Sequence, residues 1–352
     1  MSPGPAGPAE RLFPAEGARP GRAARRRARR GAPPLPMREG LDPVRWQVPP
    51  APRPSADGPA RASATGPTAL AALAARFPAL RDPEATPLEE RFASGEVVDA
   101  DGRAWGAEDP VGPGDELWFH RELRREHVPD VALPILHRDD HLLVLDKPHD
   151  MATMPRGAHV LASALVRLRR ETGIDTLVPL HRLDRRTAGV LAFGIRPEDR
   201  PAYQQLFARR EVHKAYEAIV VPGAGCSLPT GPGERALLRD RLVKHRGSLL
   251  AEVVPGEPNA ETALEVLSAA PDRTLHLVLR PRTGRTHQLR LQLASRGAPI
   301  RGEDLYPVPR HDPDGPLRLL ARELAFTDPV TGQERCFETA QELAPRSPTL
   351  EG

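Results

Sequence analysis

Cysteine, aromatic residues and long apolar runs are all scarce in this chain of 352 residues. The two cysteines, Cys226 and Cys336, have neither metal-site nor redox spacing, which excludes a disulfide scaffold and favours a reducing, cytoplasmic setting. No stretch approaches about 18 uninterrupted apolar residues, so we expect no membrane span. No apolar segment follows the N-terminal arginines, as a secretory signal would require. Aromatic side chains make up only 4% of the sequence, so the core must be mainly aliphatic.

Lysine is almost absent as well. Lys147, Lys214 and Lys244 are its only occurrences, so 47 of the 50 basic residues are arginine. A codon bias towards Arg, Ala, Pro and Gly is the simpler explanation of this composition. RNA contact is the functional alternative, because a guanidinium pairs with phosphate in a planar fork and stacks on bases. The formal net charge of +3 leaves both explanations open.

Proline is common, with 42 residues, and few prolines fit inside helices or central strands. Residues 1–66 are rich in Pro, Ala, Gly and Arg and lack a sustained hydrophobic periodicity. Such a segment cannot bury enough apolar surface to order itself, so we interpret it as a disordered arm. Its basic run at 19–30 would allow non-specific contact with RNA phosphates.

A small α/β module is predicted at 67–122. Leu70, Leu73 and Phe77 share one helix face, and a second short helix is predicted after Thr86. Helix, helix, SGEVVDADGR and GDEL loosely resemble the small RNA-binding domain named after ribosomal protein S-four. Because no basic recognition helix is evident, a purely structural N-terminal extension is the alternative.

Residues 132–345 have a mixed pattern of strands and helices. Apolar runs predict strands at 134–137, 141–146 and 190–195, and helices interrupt the strands without regular βαβ spacing. This pattern favours an α+β fold with a mixed, mainly antiparallel sheet.

Two arginine-rich motifs carry the chemistry. The first, HRLDRRTAG at 181–189, places Asp184 among three arginines, whose charges favour an ionised carboxylate. Such a carboxylate can serve as nucleophile or base, although in isolation a loop salt bridge would be its simpler role. The second motif, RTGRTHQLR at 282–290, leads into a helix. Its turn either presents donors to phosphate or simply begins a solvated helix.

These motifs, in this order, resemble the RluA-type pseudouridine synthases. ILHRDDHLLVLDKP and HRLDRRTAGVLAFG resemble the opening strands and catalytic loop of that family, and VHKAYEAIV resembles its tyrosine strand. PRTGRTHQLRLQLASRGAPIRGEDLY resembles its later arginine motif, and RLLARELAFTDPVTGQ its closing strand and turn. The resemblance covers about 134–340 and is specific, because five separated motifs occur in register. It implies a pseudouridine synthase catalytic domain that isomerises uridine in RNA.

The resemblance also assigns roles to single residues. It makes Asp184 the catalytic aspartate, Tyr216 the tyrosine that packs against the target base, and Arg290 the arginine that pairs with Asp184. Leu289 matches the apolar residue beside that arginine. We further expect substrate or phosphate contacts from three arginines of the same motifs, Arg182, Arg186 and Arg285.

Three departures from the family pattern are visible. Ala188 stands where serine is usual, and Gln292 where a histidine often follows the arginine. Gly302-Glu303-Asp304 replaces a typical Gly-Asp, which leaves the alignment of that loop open. None of the three removes a matched catalytic group.

The reaction of the family needs no metal, redox step or external energy, so we expect no metal, no cofactor and no bound nucleotide. The expected partner is structured RNA, with ribosomal RNA favoured over transfer RNA, and the expected state is a monomer. His181 and His287 lack metal-ligand spacing, which favours a structural or RNA-contact role. One alternative is a catalytically inactive RNA-binding or ribosome-assembly protein. Another is a glycosidase or nucleosidase, although those enzymes usually deploy paired carboxylates.

Overall fold

The computed structural model describes residues 33–50, 66–81, 85–121, 126–157, 159–245, 247–313 and 315–343. The chain divides into two compact units, Met1–Pro36 with Pro43–Arg121, and Met37–Asp42 with Glu122–Gly352. Within the described ranges, no helix is both long and apolar enough to cross a membrane.

The first unit combines short helices with a two-stranded antiparallel sheet. Its elements are β1 (Val44–Gln47), α1 (Ala69–Arg76), α2 (Leu88–Ala93) and β2 (Glu116–Phe119), with β1 paired to β2. Thr68 caps α1, because its side chain accepts a hydrogen bond from the Ala71 N–H. Alanine, leucine and phenylalanine side chains from the helices and β2 form the core, together with Val97 and Val111 from the segments between α2 and β2. The likeness of 67–122 to the S-four domain stays a prediction.

Strand β1 lies inside the segment predicted as a disordered arm, so that prediction is wrong for residues 44–47. Val44 and Trp46 pack against the core of the first unit, which offsets the entropy of ordering this short segment. Val44, Trp46 and Val48 alternate with polar residues, but this pattern spans only five residues between prolines, and the partner strand lies about 70 positions further along the chain. The basic run at 19–30 lies outside the described residues.

In the described part of the second unit, one mixed sheet has eleven strands. Its strands are β3 (Ile135–Arg138), β4 (Leu142–Lys147), β5 (Val178–Pro179), β6 (Ala188–Gly194), β7 (His213–Val220), β8 (Arg235–Val243), β9 (Glu252–Val254), β10 (Ala260–Ala269), β11 (Leu275–Pro281), β12 (Leu319–Thr327) and β13 (Glu334–Glu338). Its helices are α3 (Ala164–Thr172), α4 (Arg200–Arg209) and α5 (Gln288–Ala294).

The strand order is β3-β4-β6-β12-β7-β11-β10-β8-β9, with β13 paired to β12 and β5 to β6. Every pairing is antiparallel except that of β6 with β12. The predicted α+β fold with a mixed, mainly antiparallel sheet is confirmed. Strands β4 and β6 are buried along their whole length, because they lie in the middle of one half of the sheet.

The contact between β6 and β12 brings the two halves of the sheet together. Gly189 has φ +108°, and a Cβ at this position would collide with the backbone of Ala321. Ala321 pairs with Gly189 on one side and with Tyr216 of β7 on the other. Only glycine permits this close approach. The register therefore sets the loop before β6 beside the middle of β7.

Candidate active site

A cavity of about 730 Å³ opens in the second unit, between the loop before β6, the strand β7, the end of β11 and the start of α5. Its lining includes six of the site residues predicted from the sequence, which are Asp184, Tyr216, Arg290, Arg182, Arg285 and Leu289. The structure thus brings together residues that are up to about 100 positions apart in the chain.

The backbone around Asp184 is fixed on both sides. Thr153 Oγ1 donates to the Leu183 carbonyl at 2.8 Å and accepts from the Leu183 N–H at 3.2 Å. The Thr187 N–H donates to the Asp184 carbonyl at 3.1 Å and closes a turn. The Asp184 side chain is partly buried and lines the cavity. A charged side chain is therefore presented from a rigid loop, which favours a defined geometry for chemistry.

Lys147 lies at the end of β4 and is fully buried. Its Nζ donates to the carbonyls of Pro148 at 2.9 Å, Met151 at 2.9 Å and Arg185 at 3.2 Å. Burial lowers the pKa of Lys147 to about 7, and the charge of Asp184 opposes this shift. One lysine thus ties the loop that carries Asp184 to β4, a role that the sequence did not reveal.

Tyr216 lies on β7, opposite Leu279 of β11 and Ala321 of β12. Its ring packs against two hydrophobic clusters, and the residue lines the cavity. Burial, and after it the charge of Asp184, raises the pKa of Tyr216. The phenol therefore stays protonated, and its ring face is an apolar wall close to the carboxylate.

Arg290 lies on α5 and is only 3% exposed. Its Nε donates to Glu303 at 2.8 Å, and its terminal nitrogen hydrogen-bonds both Glu303 and Asp304. Burial opposes the charged form, but the hydrogen bond with Glu303 and the charges of Glu303, Asp304 and Asp184 raise the pKa of Arg290. The hydrogen-bond partners of Arg290 are thus Glu303 and Asp304, the two acids of the Gly-Glu-Asp loop that departs from the family pattern. Asp184 acts on Arg290 through its charge, and the pairing of the two residues stays a prediction.

Arg186 is buried and lies outside the cavity lining, so the predicted substrate contact is not what the structure shows. Its guanidinium donates to the carbonyls of Gly302 at 2.7 Å and Gly315 at 2.6 Å. It also lies 3.3 Å from Asp304, the acid that binds Arg290. A buried guanidinium needs such partners, so Arg186 ties the Asp184 loop to the loop at 302–304.

Arg182 and Arg285 are exposed at the mouth of the cavity. The Nε of Arg285 donates to the Asn259 carbonyl at 3.2 Å, which leaves the rest of its guanidinium accessible. Their contact with substrate stays a prediction. Arg210 and Arg282 also line the cavity and add to this rim of positive charge.

Lys214 is a cavity residue that was not predicted from the sequence. It lies two positions before Tyr216 on β7, so the two side chains share one face of the strand, and both line the cavity. Among the described residues, no hydrogen-bond or ion-pair partner of the Lys214 ammonium is found. Burial lowers the pKa of Lys214. The alternation that places Tyr216 towards the site would have identified Lys214 as well.

His181 and Phe207 form a stacked pair in the cavity wall, with ring centroids 5.3 Å apart and an interplanar angle of 18°. The Ala192 N–H donates to His181 Nε2 at 3.1 Å, so this nitrogen carries no proton. Burial lowers the pKa of His181 to about 3, so the ring is neutral. His181 is therefore held by the backbone and offers a flat, uncharged surface to the cavity.

His287 and Tyr306 meet near the start of α5, where His287 Nδ1 lies 2.8 Å from the Tyr306 hydroxyl. That hydroxyl also accepts the Ala251 N–H at 2.9 Å, so its proton is free to go to His287. Burial lowers the pKa of His287. Because His287 adopts φ +54°, its left-handed backbone fixes the approach to the helix.

One group among the described residues has the ligand types of a metal site. Glu323, Cys336 and Glu338 bring their ligand atoms within 4.8 Å of one another on β12 and β13. None of the three lines the cavity, and two of them are exposed. The cavity itself has one carboxylate and two histidines with lowered pKa values.

Comparison with known proteins gives a consistent result. The family model described as RNA pseudouridylate synthase matches residues 141–295. The dual-specificity RNA pseudouridine synthase RluA of Haemophilus influenzae is 34% identical over 214 residues, which cover 60% of this chain and 94% of that protein. An RNA pseudouridine synthase of Synechocystis is 30% identical over 218 residues, covering 62% of this chain and 73% of that protein.

Among solved structures, the human protein RNA pseudouridylate synthase domain containing 1 aligns with a TM-score of 0.48 and 24% identity. The alignment covers 58% of this chain and 82% of the human chain.

Proposed function

Because the chain belongs to the RluA-type family of RNA pseudouridine synthases, we propose that Asp184 starts the isomerisation of specific uridines in structured RNA. One observation carries the assignment. Among the described residues that line the cavity, Asp184 is the only acid. A glycosidase would place two carboxylates about its scissile bond, and this cavity has no second one.

Isomerisation of uridine to pseudouridine requires only one carboxylate. Isomerisation breaks the bond between uracil N1 and the ribose, turns the base and joins C5 to the same anomeric carbon. The C5 proton leaves and N1 gains one, so atoms balance without a metal or redox partner. In this proposal Asp184 either attacks the anomeric carbon or removes a sugar proton to give a glycal.

The target uridine must leave the RNA stack to reach Asp184, because its sugar and base are otherwise enclosed. Three apolar surfaces support a flipped base in this cavity: the ring of Tyr216, the stacked pair of His181 with Phe207, and Leu289. Stacking of a base on an aromatic side chain contributes about 1–3 kcal/mol. Tyr216 is the proposed stacking partner, because its ring lies within the electrostatic reach of Asp184.

Lys214 is the proposed contact for the phosphate of the flipped nucleotide. Lys214 lies two positions from Tyr216 along β7, a separation of about 7 Å. The phosphate of a nucleotide lies at a comparable distance from its own base. With Tyr216 on the base and Asp184 at the sugar, a cation at this distance suits the phosphate. Arg290 has an indirect role in this proposal. It forms ion pairs with Glu303 and Asp304, and Asp304 also pairs with Arg186 of the loop that carries Asp184.

For the substrate, we propose structured RNA, with ribosomal RNA favoured and transfer RNA as the alternative. Support comes from the basic rim of Arg182, Arg282 and Arg285 and from relatives named dual-specificity. We also propose that the protein acts as a monomer without a nucleotide cofactor. Mapping pseudouridines in total RNA from parent and deletion strains would identify the RNA, since the modified positions should return to uridine in the deletion strain.

The test of the mechanism is Asp184→Asn, which keeps size and polarity but removes the charge. We expect single-turnover release of tritium from C5-labelled RNA to fall by at least about three orders of magnitude. RNA binding and thermal unfolding should change little, because the side chain makes no hydrogen bond that the described structure depends on.

Asp150→Asn is the matched control. Asp150 is a neighbouring acid that pairs with Arg185 at 3.1 Å and lies outside the cavity lining. Its variant should release tritium at the parental rate. Equal rates for Asp184→Asn and the parent would instead favour a non-catalytic RNA-binding role for this pocket.

A further inference from the structure

A second cavity, of about 420 Å³, adjoins the first and is not used by the chemistry above. The two cavities share three residues, Arg210, Arg282 and Thr283. The remaining lining comes from the middle of β8, from the turn into β10 and from the first residues of β10, with Arg239, Glu257, Pro258, Asn259, Ala260 and Glu261. A chain leaving the first cavity past Arg282 would therefore enter the second.

The wall of the second cavity begins a repeated pattern on strands β8, β10 and β11. Glu261 of β10 accepts from Arg239 of β8 at 2.9 Å and from Arg282, just beyond β11, at 2.8 Å. We call these three residues the proximal triad. It is joined to the active-site motif, because the Glu261 N–H donates to Thr283 Oγ1 and its carbonyl accepts from the Gln288 side chain.

Four residues further along β10 the same arrangement recurs. Glu265 lies 3.3 Å from Arg235 of β8 and 3.5 Å from Arg280 of β11. We call these residues the distal triad. The register pairs Glu261 with Arg239 and Glu265 with Arg235, so both triads lie on one face of the sheet. Four positions along a strand separate them by about 13 Å.

Each triad carries a net charge of +1 and presents its cations outwards. In the proximal triad the side chains of Arg239 and Arg282 are 58% and 73% exposed, whereas that of Glu261 is 21% exposed. Exposed ion pairs contribute little to stability, so stability alone gives no reason for the repeat. What the repeat does provide is two guanidinium groups per triad, which come from strands about 10 Å apart and converge on the glutamate of the strand between them.

We propose that the RNA strand carrying the target uridine runs from the first cavity into the second, where its phosphates bind the proximal triad and then the distal triad. The ligand chemistry is the phosphodiester backbone, which guanidinium forks bind through paired charge-assisted hydrogen bonds. This inference rests on the proposed function, because it takes the first cavity as the place of the flipped nucleotide.

The experiment compares Arg239→Gln with Glu261→Gln in the full-length chain. Binding of an unmodified transcript of a large-subunit ribosomal RNA domain is measured between about 50 and 200 mM salt. Arg239→Gln should weaken binding roughly three- to tenfold and lower the salt slope by about 0.9. Glu261→Gln should tighten binding, because it removes the negative charge that competes with phosphate.

Effects of opposite sign are the signature of a phosphate surface. A purely structural ion pair is broken equally by either substitution, so it would move RNA affinity in the same direction or leave it unmoved, and either result overturns the proposal. Arg196→Gln is the matched control, since Arg196 pairs with Asp140 at 3.0 Å and lines neither cavity. It should bind RNA as the parent does.

A second measurement separates this inference from the proposed function. Tritium release at saturating RNA is measured for the parent and for Arg196→Gln, which should release at the parental rate. If the parent releases tritium normally but neither triad variant changes RNA affinity, the proposal that the triads bind phosphate is refuted and the proposed function still stands. If the two triad variants change RNA affinity in opposite directions but the parent releases no tritium from any RNA, phosphate binding by the triads is supported and the proposed function is refuted.

Discussion

Arginines from the same two motifs lie in opposite environments, one set buried in the fold around the active-site cavity and one set exposed at its mouth. Arg186 and Arg290 are 6% and 3% exposed, and their partners are carboxylates and backbone carbonyls of the loops at 302–304 and 315. Arg182 and Arg285 are exposed and line the cavity. Identical side chains thus act as internal ties in one region and as accessible cations in the other.

The two sets of arginines differ because burial and solvent exposure place different requirements on the partners of a charged side chain. A buried guanidinium is tolerated only when its donors are satisfied, and Asp304 serves both Arg186 and Arg290 at once. This shared acid couples the loop of Asp184 to α5. An exposed guanidinium keeps its hydration and stays available to a phosphate. Loss of a buried arginine should therefore cost stability, whereas loss of an exposed one should cost affinity.

The largest expected effect comes from Arg290→Met. The substitution leaves Glu303 buried beside an apolar side chain, so we expect the free energy of unfolding to fall by about 3–5 kcal/mol. Denaturant titration measures this loss. Arg290→Lys should be intermediate, since it keeps the charge but loses the planar fork.

Arg285→Met is the counterpart from the exposed set. Its free energy of unfolding should stay within about 0.5 kcal/mol of the parent, while its RNA affinity falls and its salt slope decreases by about 0.9. If Arg285→Met unfolds as easily as Arg290→Met, the division between buried and exposed arginines is wrong.

Lys147 is a third buried basic residue, and its hydrogen-bond partners are neutral carbonyls, whereas Arg186 and Arg290 also have carboxylate partners. Its pKa is lowered to about 7, whereas an unfolded lysine titrates near 10.4. Between these values the unfolded chain binds one more proton than the folded chain, so this group makes stability rise with pH from about 7 to about 10. Its contribution to the slope is at most about 1.4 kcal/mol per pH unit.

Lys147→Met should remove this contribution. Denaturation midpoints of parent and variant, measured across that window, should diverge, with the steeper increase in the parent. Parallel curves would show that Lys147 remains charged when folded. Tritium release by the variant should also fall, because the Arg185 carbonyl beside Asp184 loses its donor.

The smallest effect is expected from Lys214→Met. This variant tests whether a lysine inside the cavity is available to a phosphate, as the exposed arginines are. Because Lys214 is the proposed phosphate contact, RNA affinity should fall roughly three- to tenfold and the salt slope by about 0.9. Lys214→Arg should restore most of the affinity. The control is Lys244→Met, since the Lys244 ammonium already donates to the carbonyls of Ser248 and Leu249. Equal losses in both lysine variants would contradict the assignment.

The α+β fold class and the family could be predicted from the sequence, because both rest on local information. Hydrophobic period and turn residues identify β4, β6 and β7, and the ordered motifs around Asp184 and Tyr216 identify the family. The motif at 282–290 likewise predicts a turn that leads into a helix, where α5 begins. Each motif or periodic segment is read from consecutive residues, and the family assignment needs in addition only the order of the motifs along the chain.

The partners of charged side chains were decided only by the tertiary structure. The sequence could not show that Arg290 binds Glu303 and Asp304, that Arg186 is buried, or that Lys147 lies behind Asp184. Strand β1 and the triads of β8, β10 and β11 depend on register between distant segments in the same way. A local pattern determines which face of an element a residue occupies. Long-range pairing determines what that face meets, and the energy of a charge depends on that neighbour.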